Sequence, residues 1–336
     1  RKARCPLSQL ETESCDFVVV GSGAGGATAA LVLAEAGREV VLLEEGPEVR
    51  VEDRGQGTAE AFFRLFRDKG TQVAQGRSVI PMLQGRCVGG TTVINGAIIW
   101  RLPEDVYERC IASFGPRFKE AIPLAELERR FDRIERDLKV SQTPDRLLGG
   151  NGRLMRDAAM KLKLEGHAIR RNVDDCQGSA RCLEACPTQR KQSMERTYIP
   201  AAQQKGARLR AGYEVRTIET RAGRACGVVG IKADGGAFRV EARRGVVLAA
   251  SAIQSPIVLR RSGLGPKAHI GAHFRAHPAT AVTGVYREPV KLWEGGTQTF
   301  EIDHFRHEGF KLETASLPLE LAGVRMSGFG ASFQQK

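Results

Sequence analysis

The chain has 336 residues, 42% of them hydrophobic, with a formal net charge of +12, 38 glycines and 8 cysteines. This length allows one large core or two domains, and the sparse cysteines exclude a scaffold built from disulfides. No run reaches the roughly 18 apolar residues of a membrane span, and the basic residues are scattered without interleaved aromatics, so we expect no nucleic-acid partner.

The first predicted elements form a strand, a turn, a helix and a second strand. Residues 16–20 (DFVVV) are a β-branched run typical of a buried parallel strand. The turn GSGAGG (21–26) follows, and then an Ala- and Leu-rich helix that Gly37 ends. The second strand is predicted over residues 39–45. The turn has the Gly-x-Gly-x-x-Gly spacing of dinucleotide-binding folds.

Each residue of this fingerprint has a physical role. Gly21 permits the tight turn, Gly23 lets the backbone approach a pyrophosphate, and Gly26 lets the helix pack against the strand. Glu44, near the end of the second strand, is placed to accept hydrogen bonds from ribose hydroxyls. A Gly-rich turn of another α/β domain would leave Glu44 unexplained, so the sequence predicts a dinucleotide site. The fingerprint alone does not distinguish FAD from NAD.

A second Gly-rich stretch lies at residues 84–101 (QGRCVGGTTVINGAIIWR). Its GGTT segment, residues 89–92, offers a small polar turn where backbone can lie against a flat or anionic group. Asn95, which precedes Gly96, is by itself either a turn residue or a ligand contact.

Two amphipathic helices are predicted over residues 123–138 and 150–164, because their apolar residues recur at helical spacing. Nothing in either helix resembles a chemical site, so we expect packing and solvated surface.

Residues 175–188 (DCQGSARCLEACPT) contain Cys176, Cys182 and Cys186. Three thiolates in one loop favour zinc or an iron–sulfur cluster. A tetrahedral zinc site would need a fourth ligand, and none is near, so three cysteines better suit a three-iron cluster. A tight loop with packed thiols, or one disulfide with one thiol left over, remains the alternative.

The last part of the chain predicts a strand, a helix and then β structure. Residues 245–265 contain a buried-strand run that Ser-Pro breaks before a helix. Residues 273–305 have runs that we expect to be β-rich. Histidines also cluster there, and His269 and His273 have the spacing of metal ligands. No Cys or carboxylate completes a ligand set, so we expect these histidines to serve packing and hydrogen bonding.

Together these stretches resemble the glucose-methanol-choline oxidoreductases, which are FAD flavoproteins. GGTTVING (89–96) is similar to the family's first signature, GGSS-x-ING, and SAIQSPIVLRRSGLG (251–265) is similar to the second. ARLRAGYEVRTI (207–218) resembles the strand that contacts the adenine. The motifs follow the family's order over roughly residues 15–330.

The resemblance implies an α/β fold, with a Rossmann-like FAD-binding domain (a parallel sheet with helices) and the beginning of an antiparallel-sheet substrate domain. The implied FAD-binding domain is discontinuous, over residues 15–110 and 190–270. A helical insert with the Cys loop occupies residues 111–189, and the substrate domain begins at residues 271–336.

The resemblance also assigns roles to residues of this sequence. It implies that Gly21, Gly23 and Gly26 contact the pyrophosphate and that Glu44 contacts the ribose. The implied flavin contacts are Gly89, Gly90, Thr91, Asn95 and Gly96. Val215 is implied to contact the adenine, and Ala250 and Ser251 to lie near the nucleotide. Thr91 and Thr92 replace the serines of the family motif, which keeps a hydroxyl. Ser251 replaces a common glycine, which tightens the backbone there.

The activity implied is FAD-dependent oxidation of a CH–OH group by hydride transfer to flavin N5. The family's catalytic His lies near the C-terminus, whereas this chain ends at FGASFQQK (329–336), so no catalytic residue is assigned and we expect feeble activity or none. A catalytically incomplete FAD-binding fragment or subunit is the alternative. The substrate implied is a bulky or lipid-like alcohol.

The cysteine spacing resembles that of bacterial FAD glucose dehydrogenase subunits, which carry a 3Fe-4S cluster and pass electrons to a cytochrome partner. The resemblance thus implies metal ligation by Cys176, Cys182 and Cys186. No signal peptide is recognisable, and cytoplasmic, periplasmic and membrane-associated locations all remain open.

Overall fold

The structure is a computed structural model that describes residues 10–320. Its contacts divide the described chain into two compact units, one of residues 10–94 with Ser193–Gly284 and one of Asn95–Gln192 with residues 285–320. The domain boundaries expected from the resemblance remain a prediction. Within residues 10–320, none of the helices has the length and apolar character needed to cross a bilayer. The terminal FGASFQQK stretch lies outside the described residues.

The first unit is an α/β structure around one six-stranded sheet. Its elements are β1 (Glu11–Val20), α1 (Ala24–Glu35), β2 (Val40–Glu44), α2 (Thr58–Leu65), β3 (Val73–Gln75), β4 (Val79–Pro81), α7 (Tyr198–Gln204), β8 (Arg208–Ala211), β9 (Tyr213–Arg221), β10 (Arg224–Lys232), β11 (Ala237–Leu248) and α8 (Ser251–Arg261).

The sheet has the strand order β8-β2-β1-β11-β10-β9. The strands from β8 to β11 run parallel, and β10 pairs antiparallel with both β11 and β9. The predicted α/β class is therefore confirmed, although the sheet is mixed because the β9–β10 hairpin extends it. The 207–218 stretch folds as β8 and the first part of β9, so it supplies the first strand of this hairpin.

The core of the first unit lies where the sequence predicted buried strands. All five residues of β2 are buried, as are the last three residues of β1. Their β-branched and leucine side chains suit a parallel strand covered on both faces. Helix α1 packs with small residues, including Gly26, Ala27 and Ala30, so its backbone can approach the sheet closely.

The second unit contains α3 (Glu104–Phe114), α4 (Pro116–Ala121), α5 (Leu124–Asp137), β5 (Val140–Gln142), α6 (Gly149–Leu162), β6 (His167–Ala168), β7 (Arg170–Asn172), β12 (Phe300–Ile302) and β13 (Leu312–Glu313). Helices α5 and α6 confirm the two predicted amphipathic helices. An antiparallel three-stranded sheet has the order β13-β12-β6.

One expectation for the later part of the chain is confirmed only in part, and another is wrong. Of the predicted β-rich residues 273–305, only 300–302 form a strand (β12), and residues 273–299 contain none. Val282 and Val285 are 96% and 98% exposed, so these two apolar side chains have no packing surface among the described residues. Helix α8 begins at Ser251 and includes Pro256, so the Ser-Pro pair lies inside the helix and does not break the preceding strand.

Candidate functional site

Two glycine-rich turns lie against each other in the first unit. A Cβ added to Gly26 would lie 1.8 Å from the Gly21 carbonyl oxygen, so helix α1 touches the turn that precedes it. A Cβ added to Gly90 would lie 2.9 Å from the Gly23 Cα. Gly21 has φ 94° and Gly89 has φ 94°, a backbone region that favours glycine. Motifs more than sixty residues apart in the sequence therefore form one surface.

Gly23 borders open space at the N-terminus of α1. Among residues 10–320, no atom would lie within 4 Å of a Cβ added to this residue. The helix has neither a side-chain cap at Gly23 nor an acidic residue in its first turn. Its first N–H groups and its positive dipole end are thus left to bind an anion. This arrangement fits the pyrophosphate of a dinucleotide.

Glu44 links the two turns through Ser22. Its Oε2 accepts hydrogen bonds from the Ser22 amide at 3.0 Å and the Ser22 hydroxyl at 2.6 Å, and its Oε1 accepts one from the Gly46 amide at 3.0 Å. The Gly89 amide donates to the Ser22 hydroxyl at 2.9 Å. Burial raises the pKa of Glu44, and these hydrogen bonds oppose that rise. A carboxylate retains acceptor capacity beyond these bonds, so the predicted ribose contact is chemically compatible.

The chain just after β11 closes the same turn. A Cβ on Gly21 would lie 2.6 Å from the Ala249 carbonyl oxygen and 3.0 Å from the Ala250 Cα. Ser251 has φ 78°, which is the glycine-like conformation expected where the family has glycine. Its hydroxyl accepts a hydrogen bond from the Gln84 side-chain amide at 2.5 Å. The structure therefore brings Ala250 and Ser251 to the glycine turns.

Glu195 is a site residue that sequence reasoning missed. Its Oε1 accepts hydrogen bonds from Arg54 at 3.1 Å and from the Ser193 hydroxyl at 2.8 Å. The side chains of Arg54 and Glu195 are 4% and 6% exposed. The Oε2 atom is buried without a hydrogen-bond partner among the described residues. A Cβ on Gly89 would lie 2.9 Å from that oxygen, so this carboxylate oxygen lies beside the second glycine turn.

The remaining predicted cofactor residues have structural contacts of their own. The Thr91 hydroxyl accepts a hydrogen bond from the Gly85 amide at 3.1 Å. Val215 is 6% exposed and packs in the core of the first unit. In the second unit, the Asn95 side-chain oxygen accepts a hydrogen bond from the Ala97 backbone amide at 3.2 Å, as the side chain of a turn residue does. The flavin and adenine contacts of these residues, and of Gly96, remain predictions.

The three cysteines of the Cys loop do not converge on one point. Cys176 and Cys182 accept hydrogen bonds from the Arg171 guanidinium, with N–S distances of 3.9 Å and 3.0 Å. Cys186 instead accepts the backbone amides of Arg190 and Lys191, at 3.3 Å and 3.4 Å. All three thiols are free. Between residues 10 and 320, no group of three His, Cys, Asp or Glu side chains is arranged to hold a metal ion.

These contacts do not fit the 3Fe-4S cluster that the spacing suggested, because a guanidinium lies where two of the thiols would meet iron. The observed arrangement matches the alternative of packed thiols. Burial would raise the pKa of the Cys182 thiol, but the charges of Arg171 and Lys191 and the hydrogen bonds with Thr297 outweigh it, so that pKa lies below its ordinary value.

Two of the histidines after residue 268 are in contact through their rings. The imidazoles of His269 and His273 stack with centroids 5.6 Å apart, and their Nδ1 and Nε2 atoms lie 3.3 Å apart.

Comparisons with known proteins agree on one family. The GMC oxidoreductase profile matches residues 15–279. An uncharacterized GMC-type oxidoreductase of Mycobacterium tuberculosis is 38% identical over 318 residues, which cover 94% of this chain and 50% of that protein. A long-chain-alcohol oxidase of Arabidopsis thaliana is 28% identical over 308 residues, covering 85% of this chain and 39% of that protein. This chain therefore spans about half the length of the first of these relatives.

The fold is shared with solved structures. Pyridoxine 4-oxidase from Mesorbium loti superposes with a TM-score of 0.56 at 18% identity, covering 75% of this chain and 52% of that one. The match of the family profile extends over most of the chain and includes both glycine turns and the end of β11. The chain belongs to the GMC oxidoreductases, a family of FAD flavoproteins.

Proposed function

We propose that the glycine turns of the first unit bind FAD and that the chain forms the cofactor-binding part of an alcohol-oxidising enzyme. One observation carries this proposal: Gly23 and Gly90 lie in contact beside open space at the N-terminus of α1. Gly21, Gly23 and Gly26 would hold the pyrophosphate, and Glu44 would accept the ribose hydroxyls. When bound, FAD supplies flavin N5 as the acceptor of a hydride.

Glu195 supports a cofactor with several hydroxyl groups. Its Oε2 is a buried acceptor without a partner among the described residues, and such an atom is costly to leave unpaired. A hydroxyl donor on a cofactor lying against Gly89 would satisfy it. The Arg54 ion pair fixes the carboxylate so that the acceptor is presented in one orientation.

The reaction we propose is oxidation of a CH–OH group. The hydroxyl proton must pass to a base as hydride leaves the carbon, and we assign that base to none of the described residues. Long-chain alcohols are the first substrates to test, because an Arabidopsis relative is named for that activity. We propose oxygen or a diffusing acceptor as the electron sink to test first.

The experiment is to purify the full chain, load it with FAD, and mix it anaerobically with a long-chain alcohol. We expect the spectrum of bound oxidised flavin, and at most slow loss of its absorbance on mixing, because no base is assigned among the described residues. A protein that binds NAD and takes up no FAD would overturn the proposal.

A second candidate is a subunit or fragment that binds FAD without turnover. The lack of an assigned catalytic base among the described residues is compatible with this candidate. Stable FAD binding with no reduction by any alcohol would select this candidate.

A further inference from the structure

Two basic side chains are buried in the second unit. Arg171 in β7 is 0% exposed and Lys191 is 1% exposed. A buried charge is costly unless it is paired and hydrogen-bonded, so the contacts of these two side chains indicate what they hold in place.

Both cations donate to the same short turn. Arg171 donates through Nε and Nη2 to the Gly96 carbonyl oxygen, each at 3.3 Å. The Lys191 ammonium donates to the Asn95 carbonyl oxygen at 3.0 Å. Two consecutive carbonyl groups of the predicted flavin-contacting motif are therefore held by positive charges.

The same two cationic groups also contact Cys182. The Arg171 Nη2 donates to the Cys182 Sγ at 3.0 Å. The Lys191 ammonium donates to the Cys182 carbonyl oxygen at 2.8 Å. Cys186 accepts the Lys191 backbone amide at 3.4 Å, so the same loop also fixes the backbone from which Lys191 projects.

The turn that receives these contacts is strained. Ala97 has φ 65°, a conformation that L residues other than Gly, Asn and Asp rarely adopt. Its carbonyl oxygen accepts the Asn172 amide at 3.0 Å, and Ala97 is 0% exposed. Such a conformation persists only where the surrounding structure over-determines it, and β7 and the Cys loop provide that surrounding.

We propose that the Cys loop is a positioning device for the Asn95–Gly96 turn and that Arg171 and Lys191, anchored on Cys182, are its positioning residues. The inference rests on the proposed function for the identity of the cofactor. It assigns the cysteines a role that needs no metal. The guanidinium takes the place in which a cluster would bind Cys176 and Cys182, and its hydrogen bonds transmit the geometry of the loop to the turn.

The test compares Cys182→Ala, Cys182→Ser and Arg171→Met with the matched control Cys110→Ser, which changes a cysteine of α3 outside the loop. Hydrogen exchange of the peptide containing residues 95–98 is measured without FAD. We expect exchange about tenfold faster in Cys182→Ala and Arg171→Met, as for the loss of one charged hydrogen bond. The control should match the wild type, and Cys182→Ser should lie between.

The second readout uses FAD. We expect Cys182→Ala and Arg171→Met to change the visible circular dichroism of bound flavin, while Cys110→Ser leaves it unchanged. If Arg171→Met does not fold, Arg171→Lys, which keeps the charge but loses the planar fork, is measured in its place.

Three results would overturn the inference. The first is iron and acid-labile sulfide at about three irons per chain. The second is unchanged exchange over residues 95–98 in every loop variant. The third is unchanged flavin dichroism in loop variants that do bind FAD. Failure of the proposed function is distinguishable, because a chain that binds no FAD can still show the tenfold exchange difference.

Discussion

Gly23 and Gly26 belong to one fingerprint, but the structure gives their side-chain positions opposite surroundings. Among the described residues, no atom would lie within 4 Å of a Cβ at Gly23, whereas a Cβ at Gly26 would lie 1.8 Å from the Gly21 carbonyl oxygen. Gly25 is exposed in the same helix and also has open space around its Cβ position. Substituting alanine at each of these three positions in turn therefore distinguishes an effect on cofactor binding from an effect on folding.

The magnitudes follow from these surroundings. Gly26→Ala must displace α1 from the turn, and such overpacking costs about 1–3 kcal/mol, against a gain of about 1 kcal/mol in helix propensity. Gly23 has φ −65° and ψ −171°, which alanine adopts, so Gly23→Ala should change stability by about 1 kcal/mol or less. The added methyl group would prevent the pyrophosphate from accepting hydrogen bonds from one or two backbone amides. We expect this loss to weaken FAD binding about 10- to 100-fold.

The assay is titration of the cofactor-free chain with FAD, followed by flavin fluorescence, together with urea unfolding of each variant. Gly25→Ala should bind FAD like the wild type and gain up to about 1 kcal/mol in stability. The reasoning is refuted if Gly23→Ala binds FAD within twofold of the wild type, or if Gly25→Ala loses as much affinity as Gly23→Ala.

Three further predictions concern single residues. Arg101 and Arg170 lower the pKa of Glu135 to about 2, so Glu135→Gln should reduce the unfolding free energy by about 2 kcal/mol at pH 7. That contribution is present above the ordinary carboxyl pKa and is lost as pH falls towards 2. The urea unfolding curves of the wild type and Glu135→Gln should therefore converge as the pH is lowered. A difference in unfolding free energy that stays constant with pH would contradict the assignment. Ser251→Gly and Ser251→Ala both lose the hydroxyl's hydrogen bond with Gln84, but only alanine keeps the cost of φ 78°, so Ser251→Gly should be more stable than Ser251→Ala by about 1–2 kcal/mol; equal melting temperatures of the two variants would be inconsistent with this. Glu195→Gln should lower FAD affinity about tenfold, measured by the same titration, and unchanged affinity would remove Glu195 from the site.

The local parts of this structure could be predicted from sequence. The first strand, the turn, α1, β2 and Glu44 follow one another between residues 11 and 44, and each has a short-range signal: β-branched runs, glycine spacing and an acid at the end of a strand. The α5 and α6 helices likewise follow from spacing alone, because their apolar faces repeat at the helical period.

The contacts that complete the site could not be predicted in this way. Arg54 and Glu195 are 141 residues apart in the chain, and neither lies in a motif. The partner of Cys182 is a guanidinium in β7, whereas cysteine spacing suggests only metals or disulfides. The exposed stretch around Val282 shows the opposite error, because its β-rich composition predicts strands that residues 273–299 do not form.

The most direct test of the account is isothermal titration of the full cofactor-free chain with FAD and, separately, with NAD. The account predicts one FAD bound per chain, at least about 100-fold more tightly than NAD, a difference of about 2.7 kcal/mol. Equal or tighter binding of NAD, or no binding of FAD at all, would contradict it.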